Sequence, residues 1–423
     1  MKNYFETARE VDPQQDIESG KESKISPFYQ RGLGLKNEVR GILKQEYFSA
    51  LVAHLRATEY RLHAAGVTIH LAREFGFCYG VDRAVDYAYQ TRQKFPDRHI
   101  FLTGEIIHNP HVNHRLLDIG VEFLSGQYSN GKTHADLRPE DVVILPAFGV
   151  SVQEFQTLKR RGCILVDTTC GSVLNVWKRV SFYAKNGYTS IIHGKFFHEE
   201  TIATSSQALQ YPDGKYLIVR NLGETERVCE HILNGGDREA FSASFRQATS
   251  PHFDPDTDLS KVGVANQTTM LSSESLAIAD LLRKAMVEKY GAESLDSHYQ
   301  TFDTICSATQ DRQDAVLELV ENHRLDLMLV VGGFNSSNTN HLAEISSKYT
   351  TTYHIDDPAC ILQDGQIRHK RIGSQDIAVC KDWLPPDEIV LGITAGASTP
   401  NNKIGEVIER VMRLRGVDVQ EIV

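Results

Sequence analysis

The sequence lacks several patterns that would place it quickly in a protein class. It has no CxxC pair, which excludes the usual zinc-finger and thioredoxin motifs. No stretch approaches about 18 apolar residues, and the N-terminus is polar and acidic, so neither a membrane span nor a targeting peptide is expected. Lys and Arg number 45 against 55 Asp and Glu, a net charge of −10, which makes nucleic acid and anionic membranes poor partners. We expect a cytoplasmic protein.

The 423 residues, of which 41% are hydrophobic, suffice for a large core and several domains. The seven cysteines are odd in number and far apart, so we expect reduced thiols. We interpret residues 1–65 as an N-terminal extension, polar at first and then helical from Lys36 to the glycine at 66. Its use is packing or association, which leaves a homodimer open. From residue 67 onward short β-rich runs alternate with helical stretches, the pattern of an α/β protein with mainly parallel sheets.

A unit is repeated three times in this α/β region. Each repeat opens with an extended run that ends in a cysteine, and a helical stretch follows. The three cysteines are Cys78, Cys170 and Cys306. A second strand then breaks into polar residues at His108, His198 and Ser336, which follow their cysteines by 30, 28 and 30 residues. A third strand ends in a small or polar loop near Phe148, Gln267 and Ser398.

The repeat predicts three similar lobes around a pseudo-threefold axis. Their boundaries are 79–170, 171–302 and 303–423, and a strand at 67–78 leads into a central site. Ligands of parallel α/β sheets bind beyond the carboxyl ends of the strands, where helix N-termini converge. The arrangement would therefore direct the three cysteines of the repeat toward one centre.

Three thiolates at helix starts favour a metal or cluster site over buried apolar packing. Soft ligands select zinc or an iron–sulfur cluster, and the sequence pattern alone leaves both open. Cysteines outside the register are expected in the core. These are Cys163, Cys229, Cys360 and Cys380.

The loops of the repeat carry hydrogen-bond donors that suit a phosphate or diphosphate group. The candidates are His108, His198, Gln267, Thr268, Ser336, Ser337, Asn338 and Ser398. Residues 336–338 also fit a helix N-cap, and the two uses are compatible because an anion binds at the same place. Glu200, close to His198 in the chain, is the carboxylate we expect to relay protons.

Eight motifs occur in order from about residue 67 to the C-terminus: "GFC.GV.RA", "IIHNP.VN", "D.TC", "HGK..HEET.AT", "NQTTM", "D.IC.AT..RQ", "GGFNSSNT.HL" and "GASTP". Together they resemble the IspH or LytB family, the 4-hydroxy-3-methylbut-2-enyl diphosphate reductases of the non-mevalonate isoprenoid pathway. The similarity is greatest to the longer form of cyanobacteria and plants. Two positions depart from the usual family pattern, because Phe148 replaces a common histidine and Gly171 a common proline.

The resemblance implies a three-lobed fold with one 4Fe–4S cluster per subunit, bound by the three cysteines of the repeat. It implies that the loop donors hold a small allylic diphosphate and that Glu200 donates a proton. The expected activity is reductive removal of the allylic hydroxyl, giving isopentenyl and dimethylallyl diphosphates, with electrons from ferredoxin or flavodoxin. A non-catalytic iron–sulfur redox sensor is the alternative. A zinc hydrolase is disfavoured because no suitably placed base is evident.

Overall fold

The computed structural model describes residues 26–302 and 304–419. These residues form two compact units, each assembled from separate stretches of the chain. Unit 1 comprises 26–32, 97–104 and 123–306, and unit 2 comprises 33–96, 105–122 and 307–419. The first 25 residues of the predicted extension lie outside the described part.

Strands and α-helices alternate along most of the described chain. The strands are β1 (Phe28–Tyr29), β2 (Arg61–Ala64), β3 (Val67–Leu71), β4 (Ile100–Leu102), β5 (Val121–Phe123), β6 (Val142–Leu145), β7 (Ile164–Asp167), β8 (Thr189–His193), β9 (Tyr216–Val219), β10 (Val262–Asn266), β11 (Tyr299–Thr301), β12 (Leu327–Val331), β13 (Thr351–Ile355), β14 (Ile367–Lys370), β15 (Ile377–Cys380) and β16 (Ile389–Ala395). The α-helices are α1 (Lys36–Tyr47), α2 (Ala50–Ala57), α3 (Tyr79–Lys94), α4 (Pro110–Asp118), α5 (Val152–Arg160), α6 (Gly171–Lys185), α7 (Glu199–Ser206), α8 (Leu222–Asn234), α9 (Arg238–Ser244), α10 (Pro255–Asp258), α11 (Ser272–Tyr290), α12 (Leu295–His298), α13 (Ser307–Asn322), α14 (Ser337–Ser347) and α15 (Asn401–Leu414). Among the described helices, none has the length and apolar character needed to cross a membrane.

Unit 1 contains most of a sheet ordered β1-β7-β6-β4-β5 and all of a sheet ordered β11-β10-β8-β9. The pairs β1–β7, β7–β6 and β6–β4 are parallel, and so is every pair in the second sheet. Helix α6 packs on both cores of the unit. Its Val173 and Trp177 join the core of the first sheet, while Val176 and Val180 join that of the second. Because one helix is apolar on two faces, its N-terminus is held firmly where the strands end.

Unit 2 contains a sheet with the order β15-β14-β13-β12-β16-β3-β2. The four central strands are parallel, whereas β2, β14 and β15 pair antiparallel at the edges. Strand β3, which leads toward Cys78, pairs in register with β16 near the other end of the chain. The buried side chains of both strands belong to one core with helices α2 and α15. The approach to Cys78 is therefore anchored in the middle of this unit.

The predicted helix of residues 36–66 is wrong in its last third and interrupted in its middle. Phe48 is extended, and the Ser49 hydroxyl accepts a hydrogen bond from the Val52 amide to start α2. The chain then turns at positive φ and forms strand β2, which pairs with β3 through a hairpin at Ala65 and Gly66. Pairing with a sheet edge outweighs the helical periodicity of the segment, as tertiary contacts commonly outweigh propensity.

The α/β class with mainly parallel sheets is confirmed. The boundaries predicted for three lobes, and their axis, stay predictions. The strand predicted at 67–78 is shorter, because β3 ends at Leu71 and a loop containing Gly76 carries the chain on to Cys78.

Candidate active site

The three cysteines of the repeat stand at helix starts, as the sequence predicts. Cys78 and Cys170 are the N-cap residues of α3 and α6, and neither side chain accepts a capping hydrogen bond. Cys306 immediately precedes α13. All three are half-buried. A helix N-terminus favours the anionic form of a nearby thiol, so these positions suit thiolate ligands.

The other cysteines have different surroundings. Cys163, Cys229 and Cys360 are buried among apolar side chains. Burial raises the pKa of each of these thiols, and that of Cys229 rises to about 12. A buried thiol with a raised pKa stays protonated at neutral pH and is a poor metal ligand. Cys380 lies on the edge strand β15.

In unit 2 the Cys78 loop is fixed by backbone contacts. The Cys78 amide donates to the Ala397 carbonyl at 3.1 Å. Gly76 has a φ of 76°, and a Cβ there would lie 2.9 Å from the Asn401 side chain, so only glycine fits. The buried Arg312 guanidinium donates to the Gly76 carbonyl at 2.7 Å and to the Ala308 carbonyl at 2.6 Å. Arg312 thus ties the first turn of α13 to the loop before Cys78.

His108 lies beside the Ser398 loop in the same unit. Its Nδ1 is 3.0 Å from the Glu105 carboxylate, so the carboxylate orients the ring. The Ser398 hydroxyl donates to the His108 carbonyl at 3.3 Å. A Cβ at Gly333 would lie 2.3 Å from that same carbonyl oxygen, which explains the glycine. The predicted residues His108 and Ser398 are therefore neighbours.

The N-terminus of α14 adds three further predicted donors. Ser336 is the N-cap, and its hydroxyl accepts from the Thr339 amide at 3.3 Å. The Asn338 Oδ1 atom accepts from the Ala397 amide at 2.9 Å. Ser337 Oγ and Asn338 Nδ2 are buried and have no hydrogen-bond partner among the described residues. Buried polar atoms are costly unless satisfied, so two unused donors at a helix N-terminus suit an anionic ligand.

In unit 1 the first turn of α6, which follows Cys170, contacts Cys306. The Ser172 hydroxyl, in the first turn of α6, lies 3.5 Å from the Cys306 Sγ atom. The Asn266 amide donates to the Thr304 hydroxyl at 3.2 Å, and that hydroxyl donates back to the Asn266 side chain. The segment before Cys306 is therefore attached to the end of β10.

Glu200 is a fully enclosed carboxylate in unit 1, with 1% of its surface exposed. Its Oε1 atom accepts from the Thr268 amide at 2.6 Å, and its Oε2 atom accepts from the Thr268 hydroxyl at 3.0 Å. Both oxygens thus bond to one residue of the "NQTT" loop. A hydroxyl both accepts and donates, so Thr268 can pass a proton to or from this carboxyl group.

His198 begins the same helix as Glu200. It is the N-cap of α7, and its Nδ1 accepts from the Glu200 amide at 3.2 Å, which leaves the ring proton of the neutral form on Nε2. The Phe148 ring meets the His198 ring edge-on at 5.7 Å between centroids. The aromatic residue that departs from the family pattern therefore packs on a predicted site residue.

The Gln267 side chain is hydrogen-bonded to several neighbouring segments. Its Oε1 accepts from the Lys195 amide and the Thr201 hydroxyl at 3.2 and 3.1 Å, and its Nε2 donates to Thr269. A Cβ at Gly194 would come within 3.1 Å of Gln267, so the loop after β8 lies tightly against it. The Gln267 side-chain amide therefore connects its own loop to the loop after β8 and to helix α7.

Sequence reasoning missed the residues that hold the site residues in place, namely Ser172, Thr201, Thr304, Arg312 and Glu105. Arg312 and Thr201 lie inside the quoted motifs, and that is the one signal that could have drawn attention to them. Ser172 and Thr304 act through contacts between segments far apart in the chain, and Glu105 acts on His108 three residues away.

The donor set suits a metal or cluster site held by thiolates, and soft ligands of this kind select zinc or an iron–sulfur cluster. Cys78 and Cys170 sit at helix starts with side chains unused for capping, and Cys306 directly precedes a helix, whereas the buried thiols have raised pKa values. Each unit also presents polar side chains next to its cysteines. In unit 2 these are His108, residues 336–338 and Ser398, and in unit 1 they are His198, Glu200, Gln267 and Thr268. The fold and the site define a class of α/β proteins that have mainly parallel sheets, cysteines at helix starts and polar loops beyond the strands.

Comparison with known proteins narrows this class. The family model described as LytB protein matches residues 69–412. A 4-hydroxy-3-methylbut-2-enyl diphosphate reductase of Thermosynechococcus vestitus is 52% identical, covering 92% of this chain and 95% of its own length. The Gloeothece citriformis protein of the same name is 50% identical over the same shares. The structure of the E-1-hydroxy-2-methyl-but-2-enyl-4-diphosphate reductase from Plasmodium falciparum shares the fold, with a TM-score of 0.58, 22% identity and coverage of 80% of this chain and 86% of that one.

This chain belongs to the LytB family. The match includes all three cysteines of the repeat and every polar residue predicted for the site, since all lie between residues 69 and 412.

Proposed function

We propose that this protein is a 4-hydroxy-3-methylbut-2-enyl diphosphate reductase that catalyses the last step of the non-mevalonate isoprenoid pathway. The substrate loses its allylic hydroxyl as water and takes up two electrons and two protons, giving isopentenyl and dimethylallyl diphosphates. The observation that carries the proposal is the pair of unsatisfied buried donors, Ser337 Oγ and Asn338 Nδ2, at the N-terminus of α14. The names of relatives about half identical to the chain support it.

The diphosphate end of the substrate is assigned to the loop donors. Helix α14 has eleven residues, and its N-terminal dipole favours negative charge. Ser337 and Asn338 supply donors there, and His108 and Ser398 lie on adjoining loops of the same unit. From unit 1 we assign His198, Gln267 and Thr268 to the same substrate. Neutral donors can hold a diphosphate without the cost of burying several cations.

Cys78, Cys170 and Cys306 are assigned as the ligands of one 4Fe–4S cluster per subunit. Such a cluster, held by three cysteines, supplies electrons and an open iron that acts as a Lewis acid. The cysteine loops contribute rigidity, because Arg312 fixes Gly76 and Thr304 fixes the approach to Cys306. The electron donor is assigned as ferredoxin or flavodoxin, and the compartment as the cytoplasm.

Glu200 is assigned the proton-transfer role. A proton is needed where the hydroxyl leaves, because water is a better leaving group than hydroxide. The surrounding protein shields the Glu200 carboxyl group from bulk water. The Thr268 hydroxyl, which is hydrogen-bonded to this carboxyl group, provides a path for the proton. His198, bonded to the Glu200 amide, lies at the start of the same helix.

The test is the Glu200→Gln variant of the anaerobically purified protein. Glutamine keeps the shape of the side chain but cannot release a proton, so we expect turnover to fall by about 100-fold or more. The iron and sulfide contents and the absorption at about 400 nm should be retained. Glu230→Gln, which changes an exposed carboxylate of α8, is the matched control and should retain full turnover. Unimpaired turnover in Glu200→Gln would remove the proton role. A wild-type protein with stoichiometric zinc and no such absorption would overturn the reductase, and an intact cluster without turnover would favour the redox sensor.

A further inference from the structure

Unit 2 has an open groove beside Cys78. Helix α1, the C-terminal end of α2 and the first turns of α3 line a volume of about 770 Å³. Cys78 lies in its wall, together with Phe77 and Tyr79. The groove therefore places solvent next to a cysteine that the proposed function assigns to the cluster.

Basic side chains line one wall of the groove. Lys36, Arg40 and Lys44 project from α1 at intervals of four residues, so they form one stripe along the helix, and all three are exposed. Arg56 adds a fourth cation from α2. The carboxylates in the lining belong to Asp82 and Asp86. The groove thus has an excess of positive charge, although the whole chain carries −10.

Exposed aromatic rings flank the same groove. Tyr79 is 83% exposed and directly follows Cys78, and Phe48 is 47% exposed at the end of α1. Large rings left in solvent beside a charged stripe are typical of protein interfaces, where aromatic residues and arginine are enriched.

Helix α1 is firmly attached to the rest of unit 2. Its Tyr47 hydroxyl is 3.0 Å from the Tyr89 hydroxyl of α3, and its Glu46 carboxylate pairs with Arg115 of α4 at 2.5 Å. The Tyr47 ring also packs against Phe77, next to Cys78, with 5.6 Å between centroids. The basic stripe therefore has a fixed position relative to the cysteine.

We propose that this groove docks an acidic protein that carries one electron at a time, and that electrons enter the molecule beside Cys78. The proposal rests on the proposed function and identifies where its reductant binds. Two encounters with reduced carrier supply the two electrons, each carrier leaves oxidised by one electron, and the two protons come from solvent through the site. The reduced carrier, an iron–sulfur or flavin protein of low potential, is the only reductant required.

The observations favour a protein over other anions. The basic residues are exposed on long flexible side chains, whereas a small-anion site is expected to have enclosed donors. A nucleic acid would meet the net negative charge of the rest of the chain. Electron-transfer complexes are small and transient, often below about 1,200 Å² of buried area, so they do not need an extended apolar interface. Charge complementarity mainly raises the rate of such encounters.

The test compares two electron donors in the full-length, cluster-containing protein. The groove variant is Lys36→Glu/Arg40→Glu/Lys44→Glu, and the matched control is Arg324→Glu/Lys348→Glu/Lys381→Glu, which reverses three exposed cations elsewhere on unit 2. One donor is a reduced plant-type [2Fe–2S] ferredoxin, an acidic protein. The other is reduced methyl viologen, a small molecule that needs no docking surface.

For the groove variant at low ionic strength we expect the KM for ferredoxin to rise about tenfold, with turnover on methyl viologen within about twofold of wild type. Added salt should raise the wild-type KM for ferredoxin and affect the groove variant much less. The control variant should behave as wild type with both donors.

Three outcomes would overturn the docking site. They are an unchanged KM for ferredoxin in the groove variant, an equal rise in the control variant, or an equal loss of turnover with both donors. Failure of the proposed function is a separate result, because it would abolish wild-type turnover on methyl viologen. Ferredoxin binding measured by titration would then still decide whether the groove docks an acidic protein.

Discussion

The cysteines of this chain fall into two contrasting sets. Those of the repeat stand at helix starts and are half-buried, and the side chains of Cys78 and Cys170 accept no capping hydrogen bond. Cys163, Cys229 and Cys360 are buried, and burial raises the pKa of each thiol. The cysteines of the first set have positions that suit a metal ligand, whereas burial keeps the thiols of the second set protonated. The surroundings of a cysteine, above all its distance from a helix N-terminus and its burial, determine whether its thiol can act as a ligand.

The contrast is tested most severely by removing one cysteine from each set. Cys306→Ser should lose the absorption near about 400 nm and lower turnover by more than about 100-fold, since a serine hydroxyl is a poor ligand for iron. Cys229→Ala, which removes a buried thiol of unit 1, should keep iron, sulfide and turnover. Iron analysis and the visible spectrum of the anaerobic proteins give the answer. If Cys306→Ser retained its iron, the assignment of the ligands would be wrong.

Cys163 offers a finer test, because it lies in the same unit as two predicted ligands. Its Sγ atom is 3.9 Å from the Arg138 carbonyl and it packs in the core of the first sheet. Cys163→Ser should leave iron content unchanged and lower the free energy of unfolding by about 1–2 kcal/mol, the cost of burying a more polar hydroxyl. Urea denaturation measures this loss. A loss of iron without a loss of folded protein would move Cys163 into the ligand set.

The smallest effect concerns pH. The folded-state pKa of Cys229 is about 12, against an ordinary 9.0, because burial disfavours the thiolate. A raised pKa means that the stabilisation is complete below pH 9 and is lost as pH rises from 9 toward 12, where only the unfolded chain ionises. Between pH 9 and 10 the free energy of unfolding should fall by about 1 kcal/mol more in wild type than in Cys229→Ala. Parallel pH profiles for the two proteins would contradict the protonated buried thiol.

Local patterns in the sequence predicted the helix starts well. The register of the repeat placed Cys78 and Cys170 directly before helices, and each is an N-cap in the structure. His198, expected in a loop after a strand, is also an N-cap. Ser336 is also a cap, as one of its two expected uses required. These predictions succeeded because capping and helix initiation depend on a few neighbouring residues.

Contacts between segments far apart in the chain could not be predicted from local patterns. The helical periodicity of residues 36–66 could not reveal that β2 would pair with β3. The bond between Asn266 and Thr304, or the contact of Arg312 with the Gly76 carbonyl, joins segments that only the folded chain brings together. The sheet order of unit 2 has the same origin, because β3 pairs with β16 across most of the sequence.

That pairing of β3 with β16 also constrains how the protein is made. During synthesis the chain emerges from its N-terminus, so the loop of Cys78 leaves the ribosome long before the strand that supports it. Unit 1 contains its last cysteine at residue 306, whereas unit 2 needs strand β16 and helix α15 from the end of the chain. A nascent chain therefore presents the Cys78 loop without this support until the residues of β16 (Ile389–Ala395) have been synthesised. Binding of the proposed cluster at Cys78 is therefore expected to follow synthesis of β16 and α15.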